Sequence, residues 1–531
     1  MNSASQIIYI NNMKKLILLL IILNSQFSIL NSFCQPTIQW EKSLGGTYID
    51  NAYSIKQTFD SGYIVAGSSS SIDGDVSGNH GAGDAWLVKL DYAGIIQWQH
   101  CYGGTNWEWS ASIIQTTDSG YVFTGYTASN NDDVSANHGG DDYWVVKIND
   151  TGTIQWSKCY GGSGQDYAAS IIQTYDGGYA VAGYTYSTNG DVTNNHGNED
   201  YWVVKLNDTG AIQWHRCYGG IGADIAYNIT QARDSGFVIV GNTASSDGDF
   251  MGTNSGSGGI GIIKTDLSGN VQWSKCLGTG ADYGLSVIQT LDGGFTVGGY
   301  GGGAFGGWDY LVYKLSDTGS VQWSNSYGGS GDDWGTSIIQ LYDGSYVMAG
   351  YSGSTDDEVT GNHGGWDYWV LKLNNSGAII WEQSYGGSYD EVLNSLIATN
   401  DGGYALAGIS ESNDGEVSGH HGGVGNSQDF WVVKLNPDVT TGIDQISTKS
   451  SYISIYPNPS DGNLNLDYQL PSGKGELIMT DIAGRVVYSL NISGISGTQK
   501  INVADFVNGI YYWKIISGND VPPNGKIVLL K

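Results

Sequence analysis

The sequence predicts an all-β fold, a seven-bladed β-propeller with four strands in each blade, and three observations predict it. The Trp of an (I/V)QW-like motif recurs at spacings of 58, 58, 58, 59, 50 and 58 residues. The Lys of a WVVKL-like segment and the Asp of a D(G/S)GY segment recur equally often. Glycine (81 residues) and aromatic side chains (12%) are frequent, which is typical of short strands joined by tight turns. A supersecondary unit repeated at this period indicates a propeller or a solenoid. The motif Trp residues are Trp40, Trp98, Trp156, Trp214, Trp273, Trp323 and Trp381.

One repeat, residues 166–220, divides into four strands. The predicted strands are Tyr167–Thr174, Tyr179–Thr185, Tyr201–Leu206 and Ile212–Tyr218. Tight turns rich in Gly, Asp and Asn separate the first from the second and the third from the fourth. Four antiparallel strands with mostly short connections describe a propeller blade. An open solenoid is the alternative, but it needs atypical capping repeats, and the sequence has none.

The two ends of the repeat region complement each other. Ile38–Leu44 has the pattern of a fourth strand with no preceding three, and Phe430–Leu435 has that of a third strand with no fourth. We therefore expect the N-terminal strand to complete the seventh blade and close the ring, which removes exposed sheet edges.

The flanking segments have different compositions. Lys14 and Lys15 precede the apolar run Leu16–Leu23, and a polar stretch leads to Cys34, in the order of a secretory signal peptide. We accordingly assign residues 1–34 to a signal peptide, 35–436 to the propeller, 437–451 to a polar linker and 452–531 to a separate domain.

The composition excludes some partners. A formal net charge of −30 repels nucleic acid and favours cations or neutral ligands. We expect a monomer that binds no nucleic acid. Four cysteines share one repeat position and are too far apart in a propeller to form disulfides, so we interpret them as small apolar side chains. They are Cys101, Cys159, Cys217 and Cys276.

Acidic residues concentrate in the loop between the second and third strands of each repeat, which lies on the same face as the connections between blades. Their carboxylates are hard oxygen ligands that suit calcium, and the calcium candidates are Asp73, Asp75, Asp191, Asp247 and Asp249. The alternative is that these side chains bond backbone amides in the turns, and both readings stay open. A His recurs in the same loops, and we expect it to anchor them; the copies are His80, His138, His196 and His363.

Aromatic residues fall into two groups. Those at fixed repeat positions, such as Trp86 and Trp144 in the third strand, are expected to form the core between blades. Those at irregular positions are candidates for ligand binding, because glycans stack on aromatic faces. These candidates are Trp107, Trp109, Trp308, Trp334 and Trp366.

The C-terminal region carries Tyr456, Pro457, Asn458, Pro459 and Gly462, then the segment Met479–Val487, and later Gly509 and Tyr511. With these residues it resembles the type A C-terminal sorting domain of the type IX secretion system of Bacteroidota. The resemblance implies a small β-sandwich that engages the type IX machinery. It also implies a chain that is secreted or held on the outer cell surface, with the tail removed or exchanged for a lipopolysaccharide anchor. The repeats are similar to those of secreted proteins from the same bacteria, a resemblance that names no activity.

These observations favour a non-catalytic binding or adhesion module for an extracellular glycan or protein, with calcium as an open cofactor. Catalysis needs a unique constellation such as two carboxylates at a defined separation, whereas the candidate carboxylates here are copied around the ring. Near-equivalent blades suit multivalent binding. A polysaccharide-degrading enzyme and a purely structural surface protein are the alternatives.

Overall fold

The propeller region forms seven four-stranded antiparallel sheets. Six of them run in sequence order from their first strand to their fourth, and the seventh takes its fourth strand from the N-terminal end of the repeat region. Blade one contains β3 (Asp50–Gln57), β4 (Tyr63–Ser69), β5 (Asp84–Leu90) and β6 (Ile96–Tyr102), and blade two contains β7 (Glu108–Gln115), β8 (Tyr121–Thr127), β9 (Asp142–Ile148) and β10 (Ile154–Tyr160). Blade three contains β11 (Asp166–Gln173), β12 (Tyr179–Thr185), β13 (Asp200–Leu206) and β14 (Ile212–Tyr218). Blade four contains β15 (Asp224–Gln231), β16 (Phe237–Thr243), β17 (Gly259–Thr265) and β18 (Val271–Leu277). A short 3₁₀ turn, Gly248–Phe250, lies in the fourth blade.

The remaining blades contain β19 (Tyr283–Gln289), β20 (Phe295–Gly302), β21 (Trp308–Leu315) and β22 (Val321–Tyr327); β23 (Asp333–Gln340), β24 (Tyr346–Ser352), β25 (Asp367–Leu373) and β26 (Ile379–Tyr385); and β27 (Glu391–Ala398), β28 (Tyr404–Ser410) and β29 (Asp429–Leu435) with β2 (Ile38–Leu44). A further two-stranded sheet joins β1 (Ser32–Cys34) to β30 (Val439–Thr441). The prediction of a seven-bladed propeller is confirmed.

This computed structural model describes residues 32–252, 258–278, 280–441, 452–456, 460, 463–469, 474–480, 485–494, 496–507, 509–516 and 524–529. The chain divides into two compact units, of which Phe33–Thr440 is one and Thr441–Lys531 belongs to the other. The predicted signal peptide, with Lys14, Lys15 and Leu16–Leu23, lies outside the described residues apart from its last three positions.

The N-terminal strand closes the ring as predicted. β2 pairs antiparallel with β29, with Ile38 opposite Leu435 and Leu44 opposite Phe430. The seventh blade thus combines strands from both ends of the repeat region, and it has four strands like the other blades.

The core lies between blades, along the second and third strands. β5 and β9 are buried at every position, because apolar side chains on both faces of a blade contact its two neighbours. Four of the five third-strand Trp residues contact a ring of an adjacent blade, as in the 4.5 Å centroid distance between Trp86 and Phe430. These fixed-position Trp residues form core, as expected, and each contributes about 2 kcal/mol or more by burial. Cys101, Cys159, Cys217 and Cys276 are free thiols.

A buried Lys in the third strand forms an ion pair with the Asp of the first turn in most blades. Lys89 Nζ lies 2.9 Å from Asp60 Oδ2, with the Lys side chain 4% exposed. The same pair occurs in five other blades, as Lys147–Asp118, Lys205–Asp176, Lys264–Asp234, Lys314–Asp292 and Lys434–Asp401.

Blade six departs from that pattern. Lys372 pairs at 2.6 Å with Asp438, a residue of the segment assigned from sequence to the linker. Asp438 also accepts hydrogen bonds from the Trp381 indole N–H (3.2 Å) and the Tyr404 hydroxyl (3.0 Å). Although burial disfavours its charged form, these bonds hold the pKa of Asp438 below its usual value.

The C-terminal unit contains two antiparallel sheets. One has the order β31-β32-β35 and the other β34-β33-β36-β37. Leu464 of the first sheet and Leu477 of the second belong to one buried apolar cluster, so the two sheets share a core, as in the predicted β-sandwich. The strands are β31 (Tyr452–Tyr456), β32 (Asn463–Gln469), β33 (Lys474–Thr480), β34 (Val486–Ser493), β35 (Ser496–Asn502), β36 (Gly509–Ile516) and β37 (Asn524–Leu529).

Candidate functional site

The two faces of the propeller differ in their connections. Short turns join the first to the second strand and the third to the fourth, on what we call the tight-turn face. The loops between second and third strands and the connections between blades lie on the other face, the long-loop face. Binding residues concentrate on variable loops held by a rigid scaffold, so the candidate site belongs to the long-loop face.

Each connection between blades passes a glycine that lies between two buried carboxyl groups, an arrangement we call a junction. Between blades two and three, a Cβ atom at Gly161 would lie 2.5 Å from Asp166 Oδ2 and 2.6 Å from Asp142 Oδ1. Any side chain larger than hydrogen would collide with both carboxyl groups. The junction glycines are Gly45, Gly103, Gly161, Gly219, Gly328 and Gly386.

One carboxyl group of each junction comes from the inner strand of the following blade. Asp166 accepts hydrogen bonds from the Gly162 N–H (2.8 Å), the Ser187 hydroxyl (2.8 Å) and the Thr185 hydroxyl. It therefore ties its own blade to the connection that precedes it.

The other carboxyl group opens the third strand of the preceding blade. Asp142 Oδ2 accepts the His138 backbone N–H at 2.8 Å and lies 2.6 Å from His138 Nδ1. The recurrent His therefore anchors its loop, as expected from the sequence. Oδ1 of the third-strand Asp accepts no hydrogen bond from any residue that the structure describes, and this holds for Asp84, Asp142, Asp200, Asp309, Asp367 and Asp429.

Burial raises the pKa of most junction carboxyl groups. It reaches about 6 for Asp50 and Asp84 and about 7 for Glu391. Two desolvated carboxyl groups side by side favour a state in which one keeps its proton. The shift is upward for the same reason at Asp142, Asp166, Asp200, Asp224, Asp309, Asp333, Asp367 and Asp429.

The connection between blades four and five departs from the junction pattern. Gly259 takes the place of the third-strand Asp, and Gly278 adopts a φ of 80°. The lost Asp and the altered backbone occur together, which supports a structural role for the carboxyl pair elsewhere.

The calcium candidates contact backbone amides of the connection. Asp73 Oδ1 accepts the Thr47 N–H at 2.8 Å, and Asp247 Oδ1 accepts the Ile221 N–H at 3.0 Å. Asp249 accepts the Gly219 N–H at 3.1 Å, and Asp75 and Asp191 make longer contacts of 3.4 Å to the equivalent amides. No group of three or more His, Cys, Asp or Glu with a metal-binding arrangement occurs among the described residues. Calcium binding stays a prediction.

Blades five and six carry a stacked array of rings on the long-loop face, which we call the aromatic shelf. Tyr300 and Trp334 stack at a centroid distance of 4.5 Å with planes 19° apart. Trp308 lies 4.9 Å from Trp334 and 5.3 Å from Tyr300. The shelf consists of Tyr283, Tyr300, Trp308, Trp334, Tyr351 and Trp366.

The shelf rings belong to three repeat positions. The first is the residue that follows the acidic residue at the start of the inner strand. The second is the sixth residue of the second strand, and the third is the residue that precedes the third-strand Asp. In blade six they are Trp334, Tyr351 and Trp366, and Tyr351 lies 5.6 Å from Trp334 and 5.4 Å from Trp366. Each blade thus adds a set of three rings, and the two sets touch through the Tyr300–Trp334 stack.

The loop beside the blade-five part of the shelf is shorter than the equivalent loop of other blades. In blade five the loop between the second and third strands is only residues 303–307, whereas blade one has residues 70–83. Trp308, Trp334 and Trp366 stay partly exposed to solvent. The shortened loop and the additional rings therefore occur at the same place.

Three of the five predicted ligand-binding Trp residues meet in the shelf, and two do not. Trp109 belongs to a separate cluster, 5.0 Å from Tyr53 and stacked 5.9 Å from Tyr126. Trp107 is 50% exposed and lies over the backbone of Gly83.

Sequence reasoning missed the three tyrosines of the shelf. Tyr283, Tyr300 and Tyr351 stand at regular repeat positions and were therefore counted with the core. A comparison of each repeat position across blades would have found them, because blade seven has Val392 and Ile409 at the corresponding places.

The seven inner strands line a central channel with a cavity volume of about 380 Å³. Its walls are formed by the fourth, fifth and seventh positions of each inner strand, which supply mainly serine hydroxyls and apolar branched side chains.

The C-terminal unit holds the predicted sorting residues that the structure describes. Tyr456 ends β31 and Gly509 begins β36. Tyr511 is buried, and its hydroxyl donates to the Val507 carbonyl at 2.9 Å. The other sorting residues, Pro457, Asn458, Pro459 and Gly462, lie outside the described residues.

Residues 454–529 match the family model of the secretion system C-terminal sorting domain. The predicted type IX sorting domain is confirmed, and it directs the chain to the cell surface or the extracellular space. Among the residues that the structure describes, no helix has the length and apolar character of a membrane span.

Several solved structures are similar to the chain at low identity. The surface component PorZ of the type-IX secretion system of Porphyromonas gingivalis shares 11% identity, with 93% of this chain covered and a TM-score of 0.38; the chain spans 61% of its length. The Pan2 WD40 domain of Neurospora crassa shares 9% identity over 75% of this chain and 97% of its own, with a TM-score of 0.42. A puromycin hydrolase shares 11% identity over 80% of this chain and 62% of its own, with a TM-score of 0.42. No curated protein matches the sequence.

Proposed function

We propose that the propeller is a non-catalytic binding module that holds an extracellular glycan on the aromatic shelf. The observation that carries this proposal is the stack of Tyr300, Trp308 and Trp334 on the long-loop face, with centroid distances of 4.5–5.3 Å. The C–H faces of a sugar ring are apolar, and stacking on an aromatic ring removes them from water.

Carboxylates at the rim of the shelf suit the hydroxyl groups of a sugar. Asp332 Oδ1 accepts the Trp308 backbone N–H at 3.0 Å, and Asp390 Oδ1 accepts the Trp366 backbone N–H at 3.0 Å. Each carboxylate has further acceptor capacity, so it can also accept a hydrogen bond from a bound sugar. Rings for the apolar faces and oxygens for the hydroxyls therefore stand side by side.

The junction carboxyl groups do not fit the role of catalytic acids. The pKa of Glu391, about 7, falls in the range that a general acid needs, but both members of a junction are fully buried, as Asp142 and Asp166 illustrate. They are also repeated in nearly the same form around the ring, where a glycosidase uses one pair. Their raised pKa follows from burial in the scaffold.

The test uses the purified full chain with a panel of neutral and acidic polysaccharides, and it follows both retention and the release of oligosaccharides. We expect at least one polysaccharide to be retained without breakdown. Trp334→Ala removes the central ring of the shelf and is expected to lower the affinity at least about fivefold, since an aromatic contact contributes about 1 kcal/mol or more.

The matched control is Val392→Ala, which truncates the residue at the same repeat position of blade seven and is expected to leave retention unchanged. Circular dichroism and melting temperature show whether both variants remain folded. Release of oligosaccharides would support the enzyme alternative, and equal retention by folded Trp334→Ala would remove the shelf from the proposal. A wild-type chain that retains no polysaccharide would favour a purely structural role.

A further inference from the structure

One lysine interrupts an apolar collar near the tight-turn end of the central channel. Lys56 is the seventh residue of β3 and lines the channel. The equivalent residue of the other inner strands is Ile in five blades and Thr in one. These residues are Ile114, Ile172, Thr230, Ile288, Ile339 and Ile397.

Lys56 forms no ion pair with a carboxylate of the residues that the structure describes. No Asp or Glu occurs among the described residues that line the channel, and burial alone lowers the pKa of Lys56. The other titratable groups of that lining are Tyr53 and Tyr227, and burial raises the pKa of both above the usual value. Lys56 is half-buried in the channel, and an unpaired charge with reduced hydration is costly, so the site favours either a neutral amine or a bound anion.

A ring of hydroxyl groups lies next to Lys56, at the fifth position of the inner strands. Ser54 accepts the backbone N–H of Ile113 from the next blade at 3.3 Å, and Ser395 accepts that of Ile55 at the same distance. A hydroxyl that accepts such a bond keeps its own proton for another partner. The other hydroxyl groups at this position belong to Ser112, Ser170, Ser286 and Ser337, and blade four carries the carboxamide of Asn228 there.

We propose that the central channel binds a small oxyanion, held by the Lys56 ammonium and the hydroxyl protons of the serine ring. Donors converge on the channel from several blades, whereas the lining offers no competing carboxylate. A cavity of about 380 Å³ accommodates a phosphate ion or a single acidic sugar. A bound anion stabilises the charged lysine, so binding and protonation of Lys56 are coupled.

The net charge of the chain opposes this binding at long range. The formal charge of −30 repels anions at low ionic strength, but exposed charges are screened beyond about 8 Å at physiological salt. The channel is lined by uncharged residues apart from Lys56, so the local attraction determines whether the anion stays.

The experiment is isothermal titration calorimetry of the full chain with inorganic phosphate and, separately, glucuronate. These two probes distinguish a free phosphate from the carboxylate of an acidic sugar. We expect one of them to bind more tightly as the pH falls through the lowered pKa of Lys56, and we expect Lys56→Ile to weaken binding at least about tenfold, since a charged hydrogen bond is lost.

Two features make the variants informative. Lys56→Ile restores the residue of five other blades, so without ligand its melting temperature should equal or exceed that of the wild type. Lys56→Arg keeps the charge and should keep most of the affinity. Equal binding by Lys56→Ile, or no binding of either anion by the wild type up to about 10 mM, would overturn the proposal. Lys56 lies near the tight-turn end of the channel, whereas the shelf lies on the long-loop face. Trp334→Ala should therefore not alter anion binding, so this result can be distinguished from the outcome of the glycan test.

Discussion

Blades five and six share their framework with blades seven and one but differ at three positions of the long-loop face. The framework includes the junction glycine, which lies between two carboxyl groups in both regions. It is Gly328 between blades five and six and Gly45 between blades seven and one. At these three positions blades five and six carry only aromatic residues: Tyr283, Tyr300 and Trp308 in blade five, and Trp334, Tyr351 and Trp366 in blade six. Blades seven and one carry no aromatic residue there: the residues are Val392, Ile409 and Gln428 in blade seven, and Asn51, Ser68 and Gly83 in blade one.

The difference separates what the fold requires from what it leaves free. The junction is enclosed, and any change there meets a carboxyl group or a backbone atom. The three variable positions lie toward the long loops, where a ring, a branched side chain or a glycine can all be accommodated. A ligand site can therefore be added to some blades without altering the scaffold, and the shelf is the place where two neighbouring blades carry rings at all three positions.

The strongest test of the comparison converts blade six into blade seven. The triple variant Trp334→Val, Tyr351→Ile and Trp366→Gln uses residues that the same scaffold already carries. We expect it to lose polysaccharide retention by at least about a hundredfold, because three aromatic contacts of about 1 kcal/mol each are removed. The measurement is affinity electrophoresis of the full chain in gels that contain the retained polysaccharide.

The control for that variant is Trp107→Ala, which removes an exposed ring outside the shelf. Retention should persist in the control. If the triple variant kept its retention while Trp107→Ala lost it, the ligand would be bound at the connection between blades one and two.

A second prediction concerns the part that both regions share. Gly45→Ala and Gly328→Ala should each lower the free energy of unfolding by about 2 kcal/mol or more, since overpacking a rigid site costs about that amount. At Gly45 the added Cβ would lie 2.6 Å from Asp50 Oδ2 and 2.7 Å from Asp429 Oδ1. Urea denaturation followed by tryptophan fluorescence measures the change.

Gly302→Ala supplies the control, because a Cβ there has nothing within 4 Å. A Gly45 variant as stable as the wild type would mean that the carboxyl groups move apart easily, and the junction would not be the constraint that separates the two regions.

The junctions also predict a dependence of stability on pH. Burial raises the pKa of Asp50 and Asp84 to about 6 and that of Glu391 to about 7, so the folded chain binds more protons than the unfolded chain between about pH 4 and pH 7. Stability must therefore fall as the pH rises through that interval. We expect the melting temperature to be roughly 5 °C higher at about pH 5 than at about pH 8.

The ion pairs of the tight-turn face act at lower pH and in the opposite direction. Although burial opposes it, the hydrogen bonds from Thr290 and Lys314 lower the pKa of Asp292 to about 2, so its contribution is lost only as the pH falls below about 4. Glu391→Gln replaces the protonated acid by a neutral amide and should reduce the loss of stability between pH 5 and pH 8. A melting temperature that rises over that interval in the wild type would contradict the raised pKa values.

The sequence predicted the propeller because its framework residues repeat. The Trp of the fourth strand, the Lys of the third and the Asp of the first turn mark every repeat, and ring closure followed from the unmatched strands at the two ends. The pairing of Lys89 with Asp60 was missed, although both residues were markers, because spacing along the chain does not show which strands bring them together. The exchange of partner at Lys372 was missed for the same reason.

The candidate site was predictable only in part. Irregular Trp residues such as Trp308 were found because they depart from the repeat. Tyr300 was not found, because an aromatic residue at a regular position is ordinarily core, and its role depends on the shortened loop beside it. Lys56 was missed because its significance lies in the contrast with Ile114 and its equivalents, which becomes visible only when the inner strands are placed around one channel.

Metal removal is expected to have the smallest effect on stability. It tests whether the acidic loops, which blade five has lost, bind calcium. Asp73 contacts the Thr47 N–H at 2.8 Å and the Thr47 hydroxyl at 3.0 Å, so its oxygens already have donors within the chain. We therefore expect a chelator to change the melting temperature of the full chain by less than about 1 °C.

A ligand that binds only the folded state raises stability in proportion to the logarithm of its concentration, so a fall of several degrees that calcium reverses would show that the loops bind metal. Asp73→Asn would then locate that metal, because an amide keeps one acceptor for the backbone but removes the charge that calcium needs. In that case blades one, three and four would hold calcium in the loops where blade five has lost its acidic residues and carries a ring, and these blades would differ in ligand chemistry as well as in loop length.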